Sequence, residues 1–198
     1  RIASNSKTYL GVLAAKLHAR GDFSLDTPIK EILTAEIIDG IANAQLVTTR
    51  QLLNHTTGIP DYYDSDEIWD EMLDNPDHRW TAVEALAYID GKPAEFEPDA
   101  QHGYSNSNYL LAGLVVDKVT GAHHSAAIKS EILDAAGLSS TYYEHHAEAV
   151  GELCHGYGDY IGDSGLDDTY AVDLGYGLAD GGMVSTVQDL AGLYDKIN

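Results

Sequence analysis

The stretch "RIASNSKTYLGVLAAKL" (residues 1–17) holds the pattern on which the fold prediction depends. Apolar residues recur at helical spacing after Asn5, and Gly21 is a residue that can end a helix in the left-handed conformation. Ser4 and Lys7 are three residues apart, so their side chains lie close together on the same face of a helix. The pattern predicts a helix over residues 5–20 with a serine and a lysine at its start.

The Ser4–Lys7 pair has two interpretations. In the first, Ser4 caps the helix and Lys7 is a solvated surface lysine, and this spacing arises by chance about once in a chain of this length. In the second, Ser4 is a nucleophile, because the positive end of the helix dipole favours the anion that it forms. Lys7 is then its base, which requires a neutral amine. The pair alone leaves both interpretations open.

The composition excludes several classes of partner. The 198 residues include 32 acidic and 11 basic ones, for a formal net charge of −21. Nucleic acids and anionic membranes need a positive surface, so neither is expected as a partner. The acidic residues are spread along the chain, which indicates a solvated acidic surface, suited to a high-salt source or to solubility alone. No apolar run approaches the ~20 residues of a membrane span.

Helix signals dominate the remainder of the chain, and credible strands are scarce. We predict six or seven helices without a central sheet, which makes the fold class mainly α. Predicted helical segments after the first are "DTPIKEIL" (26–33), "TTRQLLNHTTG" (48–58), "TAVEALAYIDG" (81–91), 107–120, "HSAAIKSEILDAAG" (124–137) and "STVQDLAGLYDKI" (185–197). Three N-terminal signals stand out: Thr27 before Pro28, and capping boxes formed by Thr81 with Glu84 and by Ser185 with Gln188.

A second polar constellation lies in "HGYSNSNYLLAG" (residues 102–113), directly before the strongest predicted helix. Tyr104 and Asn106 are two residues apart, so both can face one pocket, where a phenol relays a proton and an amide binds substrate. The alternative is a packed loop tyrosine followed by a helix cap. His102 is a candidate pocket residue. Tyr62 is a candidate for an aromatic cleft wall with its neighbours, although core packing explains it equally well.

Metal sites are not expected. His145, His146 and Glu148 could bind Zn²⁺, but their spacing matches no recognised ligand pattern. The acidic segment "DYIGDSGLDD" (159–168) lacks the glycine and glutamate positions of a calcium loop. Cys154 is the single cysteine, which excludes an internal disulfide and predicts an inert buried residue. We therefore predict neither a metal nor a cofactor.

Four segments together resemble a known family. They are "IASNSK" (2–7), "LLNHTTGIPDY" (52–62), "GYSNSNYLLAGLVVDKVTG" (103–121) and "GGMVSTVQDLAGL" (181–193). In this order the chain resembles the serine β-lactamase-related family, which includes class C β-lactamases, D-alanyl-D-alanine carboxypeptidases, D-aminopeptidases and esterases. The resemblance implies that Ser4 is the acylated nucleophile, Lys7 its base partner and Tyr104 a second base or proton relay. It also implies that Asn106 completes the Tyr-x-Asn element and contacts substrate.

The resemblance fails at one element. Members of the family carry Lys-Thr-Gly or His-x-Gly on a later strand, and neither occurs here. We therefore expect residues 1–198 to be one domain, the helical region of the β-lactamase/penicillin-binding (α+β) fold, with the flanking strands largely missing. That strand normally supplies an oxyanion donor, whose loss costs ~10²–10³-fold in rate. Activity is accordingly expected to be impaired.

The predicted function is that of a serine hydrolase. It would form an acyl-enzyme with an amide, β-lactam, D-peptide or ester carbonyl, in a small molecule or a peptidoglycan-type peptide. The alternative is a non-catalytic helical module for binding or assembly, in which exposed apolar surface favours a homo-oligomer. The family resemblance implies a periplasmic or extracellular parent, but no signal peptide is recognisable, so localisation stays open.

Overall fold

The computed structural model describes residues 1–158, 165–170 and 172–197. Helices dominate these residues. The α-helices are α1 (Ser6–Arg20), α2 (Ala35–Ile38), α3 (Thr49–Leu53), α4 (Asp66–Asp74), α5 (Ala82–Leu86), α6 (Asn106–Thr120), α7 (His124–Ile128), α8 (Asp134–Ala136) and α9 (Val187–Ile197). The strands are β1 (Tyr142–Tyr143), β2 (Tyr157–Gly158), β3 (Asp167–Asp168) and β4 (Met183–Val184). In the described part of the chain helices are therefore the commonest regular element, and the strands are few and short.

The strands form two short antiparallel ladders. β1 pairs with β4, with Tyr142 opposite Val184, and β2 pairs with β3. Each strand has only two residues, so neither ladder forms a sheet core. The β1–β4 ladder has the larger consequence, because β4 also contacts the residues that precede α1.

The core is built around α1 and α6, which have 15 residues each. Both end as predicted, at Gly21 (φ 85°) and Gly121 (φ 73°) in the left-handed conformation that glycine adopts without strain. α6 is apolar almost all round and packs against α1, α3, α5 and α7. A helix of this pattern belongs in the interior of a domain. Its first turn is thereby held at a fixed place in the core.

Of the three predicted N-terminal signals, the box of Thr81 with Glu84 is confirmed, and that of Thr27 with Pro28 is wrong. Thr48 caps α3, and Thr81 forms the predicted capping box with Glu84 at the start of α5. The segment after Thr27 makes only a 3₁₀ turn over Ile29–Glu31. Pro28 adopts an extended conformation there and pairs with Thr48, because the backbone N–H of Ile29 donates to Val47.

Other differences concern helices formed by tertiary contacts. α4 was not predicted, and it lies on the core through Ile68 and Met72. α9 begins at Val187, where the hydroxyl of Thr186 accepts from the Asp189 amide, so the predicted box of Ser185 with Gln188 is wrong. The predicted helix over 124–137 contains a π-helical turn at Lys129–Leu133.

Three further expectations concern Cys154, the acidic segment and membrane-spanning helices. Cys154 is exposed, so the expectation of a buried cysteine is wrong. Much of the segment considered for Ca²⁺, residues 159–164, lies outside the described residues. Among the helices that the structure describes, none is both long enough and apolar enough to cross a bilayer.

Candidate active site

Ser4 lies in a 3₁₀ turn, Ala3–Asn5, that leads directly into α1. Ala3 adopts a left-handed conformation (φ 45°), which an alanine reaches only when its surroundings enforce it. β4 provides that constraint. The Ile2 amide donates to the Met183 carbonyl at 3.0 Å, and the Met183 amide donates to Ser6 Oγ at 3.1 Å. The turn is thus fixed, with the Ser4 side chain at the surface.

Lys7 lies one helical turn after Ser4 and is only 6% exposed. Its Nζ donates to Asn106 Oδ1 and to the Asp180 backbone carbonyl, both at 2.7 Å. Both oxygens are pure acceptors, so they occupy two N–H bonds of the amine. The third position of Nζ faces Ser4 Oγ at 3.2 Å. There an ammonium donates to Ser4, whereas a neutral amine accepts the proton of Ser4.

Tyr104 reaches the same hydroxyl from a loop 100 residues away. Its Oη is 2.9 Å from Ser4 Oγ and donates to Asn106 Oδ1 at 3.2 Å. Because the phenol has one hydrogen, donation to Asn106 leaves Oη to accept from Ser4. The structure therefore brings Ser4, Lys7, Tyr104 and Asn106 together, and both Lys7 Nζ and Tyr104 Oη lie within hydrogen-bond reach of Ser4 Oγ.

Asp61 orients the Asn106 amide. Its Oδ2 accepts from both the backbone N–H and Nδ2 of Asn106, at 3.0 and 2.9 Å, so Oδ1 of Asn106 must face Lys7 and Tyr104. Burial raises the pKa of Asp61, while the hydrogen bonds from Asn106 and Tyr63 oppose this rise. Asp61 was not among the predicted site residues, although it lies in the family-like segment "LLNHTTGIPDY".

Tyr62 does not line the cleft as predicted. Its side chain is 0% exposed, and its hydroxyl donates to Asp180 Oδ2 at 2.9 Å. Its ring packs on Tyr63, which in turn packs on Trp69, so core packing is the correct interpretation.

Burial raises the pKa of Asp180 to about 6, against the opposing effect of the Lys7 charge. Asp180 is therefore a buried neighbour of the site, and its backbone carbonyl accepts a hydrogen bond from Lys7 Nζ.

Two histidines lie beside Tyr104. The buried ring of His55 stacks on the Tyr104 ring at 4.5 Å between centroids. Burial, followed by the charges of Lys7 and His102, lowers the pKa of His55 to about 4. His102 is exposed and approaches His55 edge-on at 5.8 Å. His102 thus contacts His55, and its role as a pocket residue stays a prediction. His55 was not among the predicted site residues.

The zinc ligands considered from the sequence do not assemble. His145 Nε2 lies 2.7 Å from Asp173 Oδ2, and the ring of His146 stacks on His123 at 3.7 Å. In the part of the chain that the structure describes, Asp117, His123 and His124 bring potential metal ligands within 4.8 Å of one another.

These three residues are already hydrogen-bonded. His124 Nδ1 lies 2.8 Å from Asp117 Oδ1, and its Nε2 lies 2.7 Å from the Tyr143 hydroxyl. His123 Nδ1 accepts from the Ser125 amide at 3.2 Å. The rings of His123 and His124 also pack on each other, with centroids 4.1 Å apart and an inclination of 31°. The arrangement favours a structural cluster over a metal centre.

Known proteins share this arrangement of the chain. A family model described as Beta-lactamase matches residues 1–198. Penicillin-binding protein 4* of Bacillus subtilis (strain 168) is 28% identical over 203 residues, which cover 96% of this chain and 42% of that protein.

Solved structures agree with this match. A D-stereospecific amidohydrolase from Streptomyces sp. superposes with a TM-score of 0.90 at 28% identity, covering 98% of this chain and 59% of that one. The D-amino acid amidase from Ochrobactrum anthropi SV3, complexed with D-phenylalanine, superposes with a TM-score of 0.80 at 28% identity. This match covers 100% of this chain and 56% of that one. The chain thus spans about half the length of these relatives. Since the family model covers every residue, this chain belongs to the Beta-lactamase family.

Proposed function

We propose that this chain carries the nucleophile and proton-transfer groups of a serine hydrolase that works through an acyl-enzyme. One observation carries the proposal: Ser4 Oγ lies 2.9 Å from Tyr104 Oη and 3.2 Å from Lys7 Nζ. A serine hydroxyl becomes a useful nucleophile when a base lies within hydrogen-bond reach. Here two basic groups share that position, and Asn106 links them.

The proposed reaction has two steps. Ser4 Oγ attacks the substrate carbonyl carbon, and the Ser4 proton passes to a neutral Lys7 Nζ or to Tyr104 Oη in its phenolate form. The bond to the leaving group then breaks, and the leaving group takes up that proton. In the second step water attacks the acyl carbon and gives a proton to the same basic group. The bond between the acyl carbon and Ser4 Oγ then breaks, and Ser4 Oγ takes up that proton. Asn106 keeps both basic groups in place through one carbonyl oxygen.

The substrate class that we propose is an amide, β-lactam, D-peptide or ester carbonyl. The relatives include proteins named as a D-stereospecific amidohydrolase and a D-amino acid amidase, which favours an amide beside a D-configured carbon. Residues 1–198 contain neither Lys-Thr-Gly nor His-x-Gly. We therefore expect residues 1–198 alone to acylate about 10²–10³-fold more slowly than a protein in which that strand supplies an oxyanion donor.

Covalent labelling tests the proposal. The protein is treated with a fluorescent penicillin and with a fluorophosphonate, and mass spectrometry locates the adduct. We expect the adduct on Ser4, loss of labelling in Ser4→Ala and unchanged labelling in Ser130→Ala, a control at an exposed serine on the π-helical turn. Labelling that survives Ser4→Ala would show that another residue is the nucleophile. A folded protein that resists both probes and self-associates in sedimentation would favour the assembly module.

A further inference from the structure

His55 contacts Tyr104 and both of its neighbours in the chain. The amide before Tyr104, that of Gly103, donates to the His55 carbonyl at 2.9 Å. The amide after it, that of Ser105, donates to His55 Nδ1 at 3.3 Å. The imidazole also stacks on the Tyr104 ring, inclined by 29°. One residue therefore holds the backbone on either side of Tyr104 and supports one face of its ring.

Tyr104 needs such support, because core packing does not hold it. Its side chain is 48% exposed, and its hydroxyl contacts are polar ones to Ser4 and Asn106. A half-exposed aromatic ring in a loop has more rotamer freedom than a buried one. The contacts from His55 limit that freedom at the backbone and at the ring.

His55 itself is firmly held. It is 8% exposed and adopts a left-handed backbone conformation (φ 59°), which is uncommon for a residue other than glycine. Its Nδ1 also lies 3.3 Å from Asn108 Nδ2, and Asn108 is oriented by the hydroxyl of Thr57, which donates to its Oδ1 at 2.6 Å. An amide N–H can only donate, so Nδ1 carries no proton and the neutral ring carries its hydrogen on Nε2.

We propose that His55 is a positioning residue for Tyr104, which holds the phenol oxygen at hydrogen-bond distance from Ser4 Oγ. The inference rests on the proposed serine hydrolase function and assigns His55 no contact with substrate. Displacement of a catalytic group by about 1 Å can cost ~10²-fold in rate, so loss of this support should affect acylation strongly.

Three substitutions separate the contacts that His55 makes. His55→Ala removes the ring and the Nδ1 acceptor, and we expect labelling of Ser4 to slow by about 10- to 100-fold. His55→Asn retains a side-chain acceptor on a residue that tolerates the left-handed conformation, so it should recover part of the loss. His145→Asn is the matched control, because His145 is also left-handed (φ 64°) but pairs with Asp173. The probes should label Ser4 of His145→Asn at the wild-type rate.

A double-mutant cycle distinguishes positioning from a general effect on folding. If His55 acts through Tyr104, His55→Ala should slow labelling by no more than about threefold in a Tyr104→Phe background. Thermal unfolding of each variant shows whether it is folded at the assay temperature. The proposal would be overturned if His55→Ala labelled at the wild-type rate. It would also be overturned if the fold-losses in labelling rate of the two single variants multiplied in the double variant.

Amide hydrogen exchange supplies a readout that is independent of activity. The Ser105 amide should exchange slowly in the wild type and in His55→Asn, and at least about tenfold faster in His55→Ala, because its acceptor is gone. One outcome is that neither probe labels the wild type, but the Ser105 amide exchanges faster only in His55→Ala. The proposed function then fails, while the positioning by His55 stands. If Ser4 is labelled but Ser105 exchange does not depend on residue 55, the positioning role fails.

Discussion

Replacement of Asp180 by asparagine should flatten the pH dependence of stability between pH 4 and 7. Asp180 is fully buried, and its carboxylate lies in the same protein interior as Tyr62 and the Lys7 side chain. Burial raises its pKa from 3.8 to about 6, because the charged form loses its hydration. The folded protein therefore binds the Asp180 proton more tightly than the unfolded chain does.

The sign and size of the effect follow from this pKa. A carboxyl with a raised pKa in the folded state contributes stability that is present below pH 3.8 and is lost as pH rises through 6. Between pH 4 and 7 this loss amounts to about 2–3 kcal/mol for a displacement of this size. An asparagine side chain cannot titrate, so the Asp180→Asn variant lacks this component. Contributions from titrating groups that do not interact with Asp180 are common to both proteins and cancel in the difference.

Urea unfolding at several pH values measures this difference. The free energy of unfolding of the wild type minus that of Asp180→Asn should be higher at pH 4 than at pH 7, by about 2–3 kcal/mol. The absolute stability of the variant is less informative, because the new amide N–H₂ needs partners in the interior. Curves that run parallel from pH 4 to 7 would refute the assignment of a raised pKa to Asp180.

The remaining predictions concern the backbone. Gly58→Ala should destabilise the protein by about 3 kcal/mol or more, because φ is 67° there and an added Cβ would lie 2.0 Å from the Phe96 carbonyl oxygen. Gly21→Ala, at φ 85° with open space around it, should cost only about 1–2 kcal/mol, and equal losses in urea unfolding would contradict the steric argument. Thr81→Ala removes the capping box of α5 and should cost about 1 kcal/mol by the same measurement, whereas an unchanged midpoint would show that the cap contributes nothing.

Local patterns in the sequence predicted the parts of the fold that depend on neighbouring residues. Helical periodicity and a terminal glycine located α1 and α6, because each helix forms its hydrogen bonds within a few residues. The same short range brought Ser4 and Lys7 together one turn apart. The helix expected at Pro28 failed because pairing with Thr48, a contact between separated segments, decided that conformation.

Sequence patterns alone identified the residue types that could carry the chemistry. These are a serine and a lysine at a helix start, and a tyrosine and an asparagine before the strongest helix. Tertiary structure alone decided that Tyr104 reaches Ser4 across 100 residues, and that Asp61, His55 and Asp180 surround the site. It also placed Tyr62 in the core, away from the cleft. Helix periodicity depends on residues that are neighbours in the sequence. Burial, and the convergence of side chains on one site, depend instead on how distant segments pack.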